Sequence, residues 1–369
     1  MNVLRPKPHL RGWPARRIPR RARGGPILSG VRGRWLVAAV LVGAALAACS
    51  AQAPPPPPPA PTAGPTVEPA AETLPTPTAP ARQRIVVHGT GDVSLDPGYI
   101  PALRANGYAH AWSGLDGLFA EDDLTIVNLE CPVSTRGTIV PKTFNFRCDP
   151  AALPAAREAG VDVVNLANNH VLDYGPDALL DSITHARAAG IAPVGVGPDL
   201  AAASAPAFLT RGGWRIAVLG FGGVVPAPDW LATSRSPGMA SGDDTARMVA
   251  AVRAAAATAD LVFVTIHWGA ELETVPQPDD VARAEAMIEA GADGIFGHHA
   301  HRLQPLGTHE GRPIAWGLGN FVWPMLSEES SRTAVAQFVV EPDGSVHGCL
   351  LPARITAPGR PELTGGRTC

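Results

Sequence analysis

Residues 163–175 read Val163-Val164-Asn165-Leu166-Ala167-Asn168-Asn169-His170-Val171-Leu172-Asp173-Tyr174-Gly175. An apolar run that begins at Val161 stops on two asparagines and a histidine, side chains that are costly to bury. Residues 176–189 then show helical spacing, with Pro176 suited to a first helical turn. A strand that ends in polar groups and feeds a helix is the unit of an α/β sheet. In such sheets ligands gather at the C-terminal strand ends, where the loops leave the rigid core together.

The same unit recurs on both sides. Strands are expected at 85–87, 124–127, 161–166, 191–196, 216–221, 260–266 and 294–296. Helices are expected at 111–120, 151–159, 176–189, 243–258 and 279–290. Strands at 314–318, 333–340 and 345–350 complete the set, the last two separated by the turn Pro342-Asp343-Gly344. The alternation indicates one α/β domain over 84–357, with a β-rich end and a short tail at 358–369.

Polar groups follow strand after strand. Asp92 follows the first and Glu130 the second, while Asn168, Asn169 and His170 follow the third. His267 closes the strand 260–266, and His298, His299 and His301 close the next. A single Asp or Asn after a strand is commonly a turn or helix cap. Five sets of carboxylate, amide and imidazole at one sheet edge point instead to a metal site. Oxygen and nitrogen donors without thiolate suit one or two divalent ions of Mn, Fe or Zn. Two ions sharing a carboxylate would clamp a phosphoryl group.

Charge is distributed unevenly along the 369 residues, of which 46% are hydrophobic and 17% charged. Residues 1–48 carry ten Lys and Arg and no acid, which leaves 20 basic against 33 acidic residues, a net of −13, in the remainder. So acidic a body excludes a nucleic-acid surface, which needs clustered cations. The basic segment leads into the apolar run 35–45, short for a membrane span, and ends on Leu46-Ala47-Ala48-Cys49. That ending resembles the lipobox of bacterial lipoproteins, and the resemblance implies removal of a signal peptide 1–48 and lipidation of Cys49. The linker 49–83, with six consecutive prolines at 54–59, favours an extended polyproline stalk. The expectation is an extracytoplasmic body anchored to the membrane through Cys49. Disulfides are then allowed. Four cysteines remain and permit three pairings; sequence order suggests Cys131 with Cys148 and Cys349 with Cys369.

The motifs taken together resemble the capsule-synthesis CapA family. They are Gly91-Asp92-Val93-Ser94, Asn128-Leu129-Glu130-Cys131-Pro132, Asn165 through His170, Asp173-Tyr174-Gly175, His267-Trp268-Gly269-Ala270-Glu271, Gly297 through His301 and Gly317-Leu318-Gly319-Asn320-Phe321. The resemblance implies a part in poly-γ-glutamate capsule synthesis and a domain related to the calcineurin-like metallophosphoesterases, a four-layer αββα sandwich. It also implies roles: Asp92 and His301 on a first metal, Glu130 bridging, and Asn169, His267 and His299 on a second. His170 would be the general acid or transition-state stabiliser. Asn168, Glu271, His298 and Asn320 would support the ligands or meet substrate. Two positions depart from the phosphoesterase pattern: Ser94 stands where that pattern has a histidine, and Glu130 where it has an aspartate.

Two functions are therefore expected to compete. One is a lipid-anchored factor for synthesis or export of an anionic polymer such as poly-γ-glutamate, working within a capsule-synthesis membrane complex. The other is a metal-dependent hydrolase of the cell surface, acting on phosphoesters or on polymer amide bonds.

Overall fold

The structure, a computed structural model, describes Pro56 and residues 81–369. The expected signal segment, Cys49 and most of the linker lie outside the described residues. The first half of the body contains β1 (Ile85–Val93), α1 (Pro101–Asn106), β2 (Leu124–Leu129), α2 (Leu153–Glu158), β3 (Val161–Asn165), α3 (Gly175–Ala188), β4 (Ala192–Val194), β5 (Val196–Gly197) and α4 (Leu200–Ala203). Next come β6 (Ala207–Arg211), β7 (Trp214–Gly222), β8 (Gly238–Met239), α5 (Thr245–Ala256), β9 (Leu261–His267), α6 (Pro278–Glu289) and β10 (Gly294–His298). The chain closes with β11 (Leu306–His309), β12 (Arg312–Ala315), β13 (Asn320–Val322), β14 (Arg332–Val340), β15 (Val346–Ala357) and β16 (Arg360–Leu363).

Two sheets form the centre. In the first, β4, β3, β2 and β1 run parallel, and β14, β15 and β16 extend them antiparallel. The short β13 pairs in parallel with the end of β1. In the second sheet β12, β10, β9 and β7 are parallel, with antiparallel edges β11 and β6.

Alternation along the strands explains why both sheets are covered twice. Ile216 and Val218 of β7, with Leu261 and Phe263 of β9, point inward and meet Ile85, Val87, Leu124 and Ile126 of the first sheet. Their neighbours Ala217, Leu219, Val262 and Val264 point outward, onto Met248 and Val252 of α5 and Ala284 and Met287 of α6. On the far side Val127, Leu129 and Val164 pack with Ala156 of α2 and Leu179 and Ile183 of α3. Period-two burial on both faces demands helix, sheet, sheet, helix, and the fold is the expected αββα sandwich. Between the sheets Phe296 stacks on Phe338 with centroids 4.4 Å apart. Truncating such a buried ring costs about 3–5 kcal/mol.

Several elements differ from expectation for local reasons. Residues 111–120 do not form an α-helix. A 3₁₀ turn, Tyr108–Trp112, is followed by Asp116 and Gly117 at φ 49° and 77°, left-handed values that end any helix. Residues 151–159 begin as the 3₁₀ turn Pro150–Ala152 before α2. The expected strand 191–196 breaks at Gly195, φ 81°, into β4 and β5. The strand expected at 314–318 ends at Ala315, and β13 takes up the chain beyond it. The domain does not stop at 357: β16 pairs with β15 through Ala353↔Leu363, and Cys369 is disulfide-bonded to Cys349. The supposed tail is a sheet edge.

Candidate metal centre

The register of the strands builds the site before any loop contributes. Asp92 on β1 lies level with Asn320 on β13 and Asn128 on β2, and Asn128 lies level with Asn165 on β3. One buried polar row therefore crosses four strands of the first sheet. In the second sheet Gly222, His267 and His298 are level on β7, β9 and β10. The two rows meet at the Asn128 amide, which donates to Asp92 Oδ1 at 2.9 Å and to His267 Nδ1 at 3.1 Å. Gly91, just before Asp92, lets β13 approach: a Cβ there would lie 2.1 Å from the Gly319 carbonyl oxygen.

Loops add the remaining donors. Glu130 follows β2 and is held by the Cys131–Cys148 disulfide at the next residue, with Cα atoms 5.6 Å apart. His299 and His301 follow β10 with φ of 86° and 51°, left-handed backbone that non-glycine residues rarely adopt outside functional sites. His301 Nδ1 lies 3.2 Å from Asp92 Oδ2 and 2.8 Å from Asn320 Oδ1. His267 Nε2 is 3.0 Å from Asn169 Oδ1 and 3.1 Å from His299 Nδ1. The Nε2 atoms of His267, His170 and His301 stand 3.7, 3.8 and 3.9 Å from Glu130 Oε1. Two groups of donors fall close enough to hold an ion: Asp92, Glu130 and His267, and Glu130, His299 and His301. Glu130 belongs to both.

Burial sets the electrostatics of this cage. Glu130 is fully buried and, among the described residues, neither carboxylate oxygen has a hydrogen-bond partner. Burial, and then the Asp92 charge, push its carboxyl well above the usual range. Burial would lift Asp92 too, but the hydrogen bond and charge of His301, with His298 and His299, bring it below its ordinary value. Burial works against the His301 cation, yet Glu130 and Asp92 outweigh it and lift His301 to about 9. His298 and His299 are pushed by burial down to about 4, and His267 is driven well down by burial and the surrounding imidazoles. Neutral imidazoles of His267, His298 and His299 beside a buried acid are the donor chemistry of a metal site. The donor set fits a divalent metal ion.

His170 stands at the edge of the cage. Its Nδ1 is 2.6 Å from Asp173 Oδ2, which fixes that side of the ring, and Phe146 stacks on the ring at 4.1 Å. Asp173 also accepts from Lys142 Nζ at 2.6 Å and from the Phe146 N–H at 2.7 Å. Lys142 contacts the Asn169 carbonyl as well. Burial lowers the pKa of His170, and Asp173 partly restores it.

The other expected residues take definite places. Asn168 donates to the Leu129 carbonyl at 2.9 Å and accepts from the His170 N–H at 3.1 Å, shaping the turn that presents Asn169 and His170. His298 Nε2 is 2.9 Å from Thr265 Oγ1, while its Nδ1 has no hydrogen-bond partner among the described residues. Asn320 donates to the Ser330 carbonyl at 3.1 Å. Glu271 is exposed and lines the cleft outside the cage. Ser94 is fully buried, and its hydroxyl has no hydrogen-bond partner among the described residues. The two disulfides are those that sequence order suggested.

Residues that sequence reasoning passed over include Asn128, Asn165, Lys142, Phe146 and Trp323. The asparagines carried a signal, since each sits at a strand end within a motif already marked. Lys142 and Phe146 lie on an irregular loop where spacing says nothing.

Comparison with known proteins gives the family. The family described as bacterial capsule synthesis protein PGA_cap matches residues 86–325. A probable polyglutamine synthesis accessory protein of Mycobacterium tuberculosis is 34% identical over 54% of this chain and 55% of its own. A capsule biosynthesis protein CapA of Bacillus anthracis is 33% identical over 58% of this chain and 53% of its own. The chain thus spans about half the length of these relatives. Among solved structures, an NAD nucleotidase of Haemophilus influenzae aligns with TM-score 0.46 and 12% identity over 78% of this chain and 54% of its own. With the family match running through every strand-end motif from Asp92 to Asn320, the chain belongs to the bacterial capsule synthesis protein PGA_cap family.

Proposed function

We propose that the protein serves capsule or poly-γ-glutamate assembly outside the cytoplasmic membrane, anchored through Cys49, with a divalent metal centre as its working site. The names of the relatives support the first part and the lipobox sequence supports the anchor. The observation that carries the centre is the buried Glu130 carboxylate, unpartnered and ringed by His170, His267 and His301. Asp92, Glu130, Asn169, His267, His299 and His301 would hold one or two ions of Mn, Fe or Zn. A bound ion would polarise an anionic oxygen of the substrate as a Lewis acid.

The chain's own residues would then orient and move a proton. Asp173 fixes His170 through Nδ1, which leaves Nε2 facing the cage to hold or donate a proton. Lys142 neutralises Asp173, and Phe146 screens the ring from solvent on one face. This dyad favours a second reading, in which the protein is a metal-dependent hydrolase, because a factor that only binds polymer has no use for an oriented proton carrier.

Metal content together with turnover of phosphodiester and poly-γ-glutamate substrates tests both. The hydrolase reading predicts metal-dependent turnover that His299→Ala and His170→Ala abolish, with His170→Ala retaining most of its metal. Metal bound without turnover on either substrate leaves the assembly factor. Absence of metal binding by the wild type overturns the whole centre.

A further inference from the structure

Three of the exposed large hydrophobic residues meet at one cleft. Among the described residues the full set is Ile139, Phe144, Phe208, Leu272, Val275, Met325 and Leu326. Phe208 is covered by the Arg215 guanidinium, 4.6 Å from its centroid. The other six stand on three loops, 134–147, 268–277 and 323–329, and these loops bound one cleft of about 280 Å³. Phe144, Leu272 and Leu326 line the cleft, each more than half exposed. An apolar rim of this kind marks a binding surface.

Its inner wall is aromatic and continuous with the metal cage. Phe146 stacks on His170 at 4.1 Å, and Trp323 lies 4.9 Å from the His301 ring. Tyr99 joins them, 4.5 Å from Phe146 and 5.5 Å from Trp323. Whatever reaches His301 and His170 through the cleft passes these faces. The charges say what does not pass. Arg302, which lines the cleft beside His301, is paired with Glu329 at 3.5 Å. Glu328 is held by Arg332 and Arg354, each at 3.5 Å, while Glu271 on the cleft wall and Glu273 beside it are exposed. The arginines here each face a glutamate, so they offer no free row of cations to an anionic bilayer or to a long polyanion. Such a rim suits a single anionic group, seated at the metal, that trails an apolar chain.

We propose that the ligand of this centre is an amphipathic anion, with a phosphate or carboxylate head at the cage and an aliphatic chain along Phe146, Trp323, Phe144, Leu272 and Leu326. The inference rests on the metal-centre reading for the head, while the chain's contacts are independent of any ion. n-Alkyl phosphonates from methyl to decyl, kept below micelle formation, test it by titration calorimetry on manganese-loaded and on EDTA-treated protein. Affinity should rise by up to about fourfold per methylene over the first several carbons. That slope should persist without metal, while the affinity for methyl phosphonate should fall on metal removal. Leu272→Ser with Leu326→Ser should flatten the slope and leave metal content and methyl phosphonate affinity unchanged.

A flat series in both preparations overturns the proposal, as does a slope that the double substitution leaves intact. A slope present while metal has no effect on the head sinks the metal reading and leaves the chain site standing. Binding to phosphatidylglycerol vesicles, lost on the double substitution and accompanied by a flat monomer series, would assign the rim to a membrane and refute the ligand.

Discussion

Replacing Glu130 by glutamine should make the metal-free protein more stable and the metal-loaded protein less so. Glu130 is fully buried, neither oxygen is hydrogen-bonded, and the Asp92 carboxylate is among the charges that disfavour its ionisation. A buried group left unsatisfied costs about 1–3 kcal/mol, more when charged. Glutamine keeps the shape and needs no proton to be neutral, so the cost of holding the carboxyl protonated in the fold is lifted and a gain of about 1–2 kcal/mol is expected without metal, discounted because the amide also lacks partners. In a domain of this size that shifts the melting midpoint by roughly 2–8 °C. With manganese at a hundredfold excess over its dissociation constant, the wild type gains about 2.7 kcal/mol by mass action. The variant, without the carboxylate common to both donor groups, should not follow. Differential scanning calorimetry of both proteins, with EDTA and across a manganese series, measures the two changes. The reasoning fails if Glu130→Gln destabilises the metal-free protein, or if manganese stabilises both proteins alike.

Three further outcomes follow from the same geometry. The metal-free protein should be most stable near pH 6.5. His298 and His299, at about 4 in the fold, refuse protons that the unfolded chain accepts below their ordinary 6.5, so stability falls on acidification. His301, at about 9, holds a proton that the unfolded chain releases above 6.5, so stability also falls toward pH 9; urea midpoints that rise steadily to pH 8.5 would contradict this. Raised Glu130 adds to the alkaline fall and offsets part of the acid one. Asp173→Asn removes the charge 2.6 Å from His170 Nδ1. It should lower the His170 pKa further by NMR, leave metal affinity within about twofold, and cut any metal-dependent turnover by at least about 100-fold. Removing the Cys131–Cys148 bridge, which spans 17 residues, should cost about 3 kcal/mol and weaken manganese binding, because Glu130 is its neighbour. Cys369→Ala, far along the sheet, should spare manganese binding in the same calorimetric titration.

The sandwich was legible because its strands are apolar on both faces, as at 161–166 and 260–266, and few folds bury a parallel strand that way. The site was legible for a related reason. Asp92, Glu130, Asn169, His267, His299 and His301 each interrupt or end an apolar run where burial penalises them, so cost itself marked them. What escaped had no such contrast. Residues 111–120 are apolar at helical spacing, but Asp116 and Gly117 adopt left-handed backbone that composition does not announce. The edge strand β16 is short and polar, and its place depends on a disulfide from Cys369 that closes only in three dimensions. Lys142 reaches Asp173 across 31 residues from an irregular loop, and no local pattern foretells a contact of that range.

The central claim is that Glu130 and the histidines around it hold a divalent ion, and anomalous diffraction tests it most directly. Crystals grown with manganese, measured at the manganese absorption edge, should show one or two anomalous peaks within bonding distance of the Glu130 carboxylate and of imidazole nitrogens of His267, His299 and His301. Those peaks should vanish in Glu130→Gln crystals. An ordered, fully folded cage with no anomalous density beside Glu130 at saturating manganese would contradict the account.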